Sequence, residues 1–351
     1  MSLTTGIFPS LWKKANVIPI HKKESATVLN NYRPVSLLCV SSKLFERIIF
    51  KYVYNYFKDN FIISNFQSGF RSGMSTVTQL LELYHQFSQA VDNQKEIRVV
   101  FLDIKKAFDK VWHKGIIHKL SRCGIRGELL HWFKSYLCDR MQRVIINGQC
   151  SDWSTVGAGV PQGSVLGPLL FILYINDITS VVNFSNIRLF ADDTCLFIEV
   201  DNRIDAALRI ENDLVNIERW AKLWLVDFAP EKTKSLTVSK KKDKHVNPSI
   251  RFKGHIIEEV TAHTYLGLLF TSNLSWNPHI HYVEQKARKK LNMLMPLKFK
   301  LDRRSLEVMF SSFVASTMNY GIEVWGGSFD SHLLKLEKII VDGMRLVFWG
   351  N

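Results

Sequence analysis

Ile187-Arg-Leu-Phe-Ala-Asp-Asp-Thr-Cys-Leu-Phe-Ile198 sets two adjacent carboxylates, Asp192 and Asp193, between two runs of strand-forming residues. The pattern predicts a β-hairpin with an acidic tip. Two like charges side by side between apolar strands destabilise a fold unless a cation or a hydrogen-bond network holds them. The plain alternative is an Asp-rich turn, because Asp is a common turn former. Working outward, Ile97-Arg-Val-Val-Phe-Leu-Asp103 is an apolar, β-branched run ending on a carboxylate, which reads as a buried strand delivering Asp103 at its C-terminal end. Alone, Asp103 reads as a strand-end residue. One sheet can bring it to Asp192, however, and two carboxylates from different strands are the minimum for a two-metal site with ions ~3.5–4 Å apart.

The rest of the chain divides into recognisable elements. A short apolar strand bracketed by lysines is expected within Trp12–Lys23, and a turn at Asn31-Tyr-Arg-Pro-Val-Ser36. Leu44, Ile48, Val53 and Phe57 recur at helical spacing behind an expected cap at Ser41. Further helices are expected from about Ser75 to Val91, from about Lys105, and from about Arg126 to Leu137. Val144-Ile-Ile-Asn-Gly-Gln149 carries the Asn-Gly signal of a hairpin. A Gly-rich stretch, Gly157 to Pro168, runs into a helix over Leu169–Ile178. After the acidic hairpin come a helix over Asp205–Leu225, a strand over Ser235–Ser239 and a hairpin over Thr264–Thr271. From Asn277 the chain turns helical and basic, with Lys286, Arg288, Lys289, Lys290, Lys298, Lys300, Arg303 and Arg304 lying between Glu284 and Arg304.

Composition narrows the classes. With 46% hydrophobic and 22% charged residues among 351, the chain is a folded protein rather than a disordered one. A net charge of +14 favours a polyanionic partner, nucleic acid before an anionic membrane surface. Its five cysteines make neither a Cys-x-x-Cys pair nor a Cys/His cluster, so no zinc site or disulfide framework is indicated and a reducing compartment fits. The longest apolar run, Val165–Ile175, is well short of the ~20 residues that span a bilayer. No signal peptide is visible, and an intracellular site, nuclear or cytoplasmic, is expected. Lys240–Lys244 reads as a solvated loop or a weak nuclear signal.

Three stretches in order, Phe101-Leu-Asp-Ile-Lys-Lys-Ala-Phe-Asp109, Pro161-Gln-Gly-Ser-Val-Leu-Gly-Pro168 and Phe190-Ala-Asp-Asp193, closely resemble the central motifs of reverse transcriptases, in the flavour of jockey-like non-LTR retrotransposons. Trp12–Lys23, Tyr32-Arg-Pro34, Lys43-Leu-Phe-Glu46, Gln67-Ser-Gly-Phe-Arg71, Lys232-Thr233 and Tyr265-Leu-Gly267 match flanking motifs, so the resemblance covers nearly the whole chain.

The resemblance implies an α+β right-hand polymerase fold, with fingers at 1–95, a palm at 96–275 (finger-associated helices at about 115–155) and a helical thumb at 276–351. It further implies that Asp103 and Asp192 hold two Mg²⁺ ions, with Mn²⁺ as the alternative, and that Asp193 completes the cluster as a ligand or supporting acid. The partners implied are an RNA template, a DNA primer and dNTPs, with no membrane. Phe108 would lie under the incoming sugar and leave no room for a 2′-hydroxyl, and Phe108 with Ala191 favours DNA synthesis over RNA-copying RNA polymerases. Gln162 and Gly163 would line the nucleotide pocket. Lys22 or Lys23, with Arg33, would meet the triphosphate. Lys232 would stand by the departing pyrophosphate as general acid. The family has Asn three residues before that lysine where this chain has Ala229, which puts the local loop geometry in question. Tyr265, Leu266 and Gly267 would grip the primer end, and the basic helix at Glu284–Arg304 would track the template–primer duplex.

The chain shows no apurinic-type endonuclease, Cys/His knuckle or RNase H-like segment, and stops soon after Asn319-Tyr-Gly-Ile-Glu-Val-Trp325. The expectation is therefore the polymerase portion of a truncated element protein, the alternative being a catalytically idle or domesticated nucleic-acid-binding relic.

Overall fold

A computed structural model describes residues 1–22, 25–241, 246–328 and 330–348. Lys23 and most of the Lys240–Lys244 run lie outside the described residues. The chain opens with β1 (Lys14–His21), which pairs antiparallel with β2 (Tyr32–Leu37). The second strand occupies the stretch expected to be a turn. Pro34 fits there because β2 is the edge of its sheet, where a missing N–H breaks no ladder. The helix expected behind Ser41 is α1 (Val40–Asp59), but Ser41 lies inside it, and Cys39 precedes it without a side-chain cap. By contrast, α2 (Thr76–Asp92) begins where expected, with Ser75 and Thr78 forming a reciprocal capping box.

All seven residues of β3 (Glu96–Leu102) are buried. The period of two explains how a continuous apolar run is used. Val100 and Leu102 face one core with side chains such as Leu170 and Ile210, while Ile97, Val99 and Phe101 face a second core with Leu83, Phe87 and Tyr265. Each such side chain contributes ~1.5–3 kcal/mol on burial. No long helix starts at Lys105. A single 3₁₀ turn, Ala107–Lys110, is entered through Lys106 at φ +49°, followed by α3 (His113–Arg122) and α4 (Gly127–Leu137). Tertiary bonds hold that segment open: Lys105 N–H donates to the Asp227 carbonyl at 2.7 Å, and Val160 N–H to that of Phe108 at 2.8 Å.

Next, β4 (Arg140–Ile146) lies parallel to β1 and turns at Asn147-Gly148, both with positive φ, into β5 (Gln149–Cys150); β6 (Ser154–Val156) pairs with the start of β4. Helix α5 (Leu166–Ile175) starts earlier than its apolar run suggested, since Pro168 is tolerated in a first turn, and a 3₁₀ segment follows it. The acidic stretch forms β7 (Asn186–Phe190) and β8 (Asp193–Val200), then comes α6 (Arg203–Trp224), capped by Asn202. β9 (Lys234–Val238), β10 (Arg251–Phe252), β11 (His255–Ile256) and β12 (Glu258–Val260) complete a central sheet ordered β12-β9-β3-β8-β7 beside the small β10-β11 pair. β13 (Ala262–Tyr265) and β14 (Leu268–Thr271) make the expected hairpin.

The basic C-terminal run is not one helix. α7 (Asn277–Leu294) stops before Pro296, Lys298 and Lys300 sit in the connection, and Arg303 and Arg304 open α8 (Arg303–Met309). A π segment, Phe310–Ala315, leads to α9 (Ser316–Asn319), α10 (Ile322–Trp325) and α11 (Asp330–Phe348). The architecture is thus mixed α/β. Among the described residues no helix is long and apolar enough to cross a membrane.

His279 on α7 couples this fold to pH. It is 2% exposed, its Nδ1 accepts from Leu269 N–H at 3.3 Å, and desolvation lowers its pKa to about 4. Because the unfolded ring titrates near 6.5, only the unfolded state takes up a proton between about pH 6.5 and 4, so stability falls as pH drops through that window, by at most roughly 3 kcal/mol. Urea melts at pH 7 and pH 4.5 should show this slope, and His279→Leu should make it shallower, with His263, likewise lowered to about 4 by desolvation, contributing to the remainder; an equally steep slope in the variant would remove His279 as a cause.

Candidate active site

The register of the central sheet brings the carboxylates together. Leu102 pairs with Thr194 across β3 and β8, so Asp103 and Asp193 occupy the next positions at the same end. Phe190 pairs with Asp193, which leaves Ala191-Asp192 as a two-residue tip. Ala191 takes φ +52° there, at the position where such tips favour glycine. The three acids sense one another. Asp193 is pushed up to about 6, by desolvation first and then by Asp192 and Asp103. Its surface is more than a third exposed, which weakens the desolvation part and leaves like-charge repulsion as the part a cation would reverse. Burial also raises Asp192, with Asp103 adding to the rise and Arg33 and Lys22 opposing it. Asp103 is raised by desolvation, against Lys232, whose Nζ lies 3.8 Å from its Oδ2.

Lys22 and Arg33, both exposed on the β1–β2 hairpin, bear on Asp192 through space, each favouring its ionised form. Phe108 stacks on Phe171 at 4.6 Å and meets Phe70 edge-on at 6.1 Å. Its outer side stays partly open. Gln162 donates from Nε2 to Asp109 Oδ1 at 2.8 Å, and its carbonyl accepts from Ser36 N–H at 2.8 Å. At Gly163, φ is +115° and a Cβ would stand 2.7 Å from the Ser36 carbonyl oxygen, so the close approach of this loop to β2 demands glycine.

Ala229 resolves the loop beside Lys232. It is fully buried, its N–H donates to the Asp103 carbonyl at 2.8 Å, and its carbonyl accepts from the backbone N–H groups of Lys232 and Thr233 and from Thr233 Oγ1. The turn closes through Thr233 and backbone, with no side chain needed at 229. Tyr265 is buried, while Leu266 and Gly267, at φ +46° and +87°, form the tip of the β13–β14 hairpin.

Three residues lay within matched motifs, but only the structure shows what they touch. Gln67 is fully buried, and its Oε1 accepts from Gly69 N–H at 2.7 Å and Ala191 N–H at 2.9 Å, pinning the strained tip. Glu46, also fully buried, accepts at Oε2 from the N–H groups of Val165 and Leu166, at 2.9 and 3.2 Å, so a residue of α1 caps α5 and anchors the Gln162 loop. Asp109 is the acceptor that orients Gln162.

Among the described residues no group of three or more His, Cys, Asp or Glu side chains stands ready to hold a metal ion. The donor chemistry of Asp103, Asp192 and Asp193 nevertheless fits a hard divalent cation: the set is oxygen-only, and its mutual repulsion would be relieved by positive charge.

The family model described as reverse transcriptase (RNA-dependent DNA polymerase) matches residues 20–270. The chain is 31% identical, over 98% of its length, to a probable RNA-directed DNA polymerase from transposon BS of Drosophila melanogaster, and covers 39% of that protein. It is also 31% identical over 98% of its length to the RNA-directed DNA polymerase from the mobile element jockey of the same fly, covering 38% of it. The chain thus spans about two fifths of the curated relatives it matches. Apo telomerase from Candida tropicalis shares the fold, with a TM-score of 0.51 and 11% identity over 97% of this chain and 63% of that one. The family match spans the strands that carry the acids, the Gln162 loop and the segment around Lys232, and on it the chain belongs to the reverse transcriptase (RNA-dependent DNA polymerase) family.

Proposed function

We propose that this chain is the polymerase portion of a non-LTR retrotransposon protein and extends a DNA primer on an RNA template by nucleotidyl transfer. The observation that carries the reading is the gathering of Asp103, Asp192 and Asp193 at one end of the β3–β8 ladder. Reverse transcriptases as a family use divalent metal ions. Here Asp103 and Asp192 would hold two Mg²⁺ ions, with Asp193 as a third ligand or supporting acid. Bound there, the ions supply charge neutralisation at the triphosphate and at the attacking oxygen.

This chain's own groups do the positioning. The primer 3′-hydroxyl gives up its proton to solvent as its oxygen forms a bond to the α-phosphorus of the dNTP and the bond to pyrophosphate breaks, and Lys232 Nζ, beside Asp103, can give its proton to the departing oxygen. Lys22 and Arg33 neutralise triphosphate charge from the β1–β2 hairpin. Gln162, fixed by Asp109, and Gly163 shape the pocket, and the open side of Phe108 supports the sugar. The division into fingers (1–95), palm (96–275) and thumb (276–351) follows from the same reading. Lys289 and Arg288 line an open groove of about 540 Å³ on α7, a place for duplex phosphates.

Primer extension on an RNA template with dNTPs and Mg²⁺ tests the reading directly; a chain that binds template–primer but never extends it would overturn it. Phe108→Val tests the sugar gate. Opening the floor is expected to weaken discrimination against rNTPs by roughly 10–100-fold, read as the ratio of kcat/KM for dNTP and rNTP. Unchanged discrimination would remove Phe108 from that role.

A further inference from the structure

The Asn319-Tyr-Gly-Ile-Glu-Val-Trp325 stretch takes no part in the site described above, yet it closes on the β13–β14 hairpin. Tyr320, between α9 and α10, places its hydroxyl 2.7 Å from the carbonyl oxygen of Leu266 and 3.0 Å from Thr76 Oγ1 at the start of α2. A carbonyl can only accept, so the single phenolic proton goes to Leu266, and the freely rotating Thr76 hydroxyl can donate to Tyr320 in turn. The ring lies over the hairpin tip, where a Cβ on Gly267 would fall 2.9 Å from Tyr320 Cε1. One residue on, Gly321 turns at φ +65° so tightly against Leu268 that its own Cβ would meet that side chain at 2.8 Å.

Tyr320 is itself held. The indole Nε1 of Trp325, a fully buried residue, donates to the Tyr320 carbonyl at 3.0 Å. The tip needs holding, because Leu266 sits at φ +46°, a left-handed conformation that a non-glycine residue resists. On the other side of the same hairpin, Tyr265 Oη receives a 3.4 Å contact from Gln79 Nε2 of α2, and Gln79 Oε1 accepts from Ser68 Oγ at 2.7 Å, next to Gln67. The hairpin tip is thus tied to α2 at both ends, and at its outer end the tie passes through one C-terminal hydroxyl.

We propose that Tyr320 is a positioning residue for the primer terminus: it locks the Tyr265-Leu266-Gly267 tip in the strained shape that grips the primer, and so lets the C-terminal helical region control primer engagement. The inference rests on the polymerase reading above. It separates Tyr320 from residues that serve the nucleotide, because its contacts reach the hairpin and α2 and not the Gln162 loop.

The test uses the full chain, Tyr320→Phe, Thr76→Ala and Thr76→Ser in steady-state primer extension, and in single-cycle extension with a heparin trap. Loss of one hydrogen bond at the tip is expected to raise the KM for primer–template roughly 3–10-fold and to shorten the product made per binding event. KM for dNTP and the thermal midpoint are expected to stay near wild type. Thr76→Ala should follow Tyr320→Phe in milder form, and Thr76→Ser should restore wild-type behaviour. Two results would overturn the assignment: Tyr320→Phe indistinguishable from wild type, or primer and dNTP KM rising together with a fallen thermal midpoint, which marks packing alone. Wild-type chain that extends no primer at all would instead overturn the polymerase reading, so the two failures are distinguishable.

Discussion

Asp192→Asn is expected to reduce primer extension by at least ~10³-fold while leaving template–primer binding intact or slightly tighter. The size follows from removing a charged group that acts on the developing charge of the reaction, where even a single preorganised donor is worth ~10²–10³. The binding follows from electrostatics, since a carboxylate facing a phosphate backbone repels it. Stability gives an independent signature. Burial and Asp103 raise the pKa of Asp192, so the folded state disfavours its ionised form, and the cost is present at every pH above that raised value. The neutral amide removes the cost, so the thermal midpoint should rise or hold while activity disappears. Extension assays beside filter binding and a melting curve check all three parts; a variant that loses activity and binding together would mean that Asp192 supports the cleft and not the chemistry.

Gly69→Ala, a single added methyl outside the acidic cluster, is expected to reduce primer extension strongly. A Cβ at Gly69 would lie 2.3 Å from the Ala191 backbone nitrogen and 3.0 Å from Gln67 Oε1. Neither can move cheaply, because Ser68 N–H donates to the Leu189 carbonyl, Leu189 N–H to that of Phe66, and Gln67 spans to Ala191. The loop and the hairpin tip must separate, which costs roughly 1–3 kcal/mol as an overpacking strain and shifts Asp192 with it. Since misplacement by about 1 Å can cost ~10²-fold in rate, extension should fall at least that far in protein that still folds. Gly73→Ala is the control from the same segment: unlike Gly69 it has a positive φ, +80°, but nothing lies within 4 Å of its Cβ, so it should show backbone strain without loss of rate. Equal losses in the two variants would mean that the contact with Ala191 is unimportant.

Both substitutions bear on what was readable in advance. The acidic hairpin, the strand ending on Asp103 and the Asn-Gly and Leu-Gly turns were legible because each is governed by local pattern: alternation, β-branching and the positive-φ preference of turn residues. Local pattern failed where tertiary bonds overrode it. The expected helix at Lys105 gave way to a 3₁₀ turn because Lys105 and Phe108 are bonded to the segments around Asp227 and Val160. The turn expected at Asn31–Ser36 became an edge strand because β1 offered it a partner. The basic run to Arg304 broke at Pro296.

By itself, then, the sequence determined the chemical inventory: three carboxylates, an aromatic ring at Phe108, a glycine-rich loop and a surplus of positive charge, in an order that marks a reverse transcriptase. What only the tertiary structure decided is which groups hold that inventory in place. Gln67 pins Ala191, Glu46 caps α5, Asp109 orients Gln162 and Tyr320 holds Leu266. Each pair is remote in sequence, and a buried acceptor finds its donor only when sheet register and helix packing have set the distance between them.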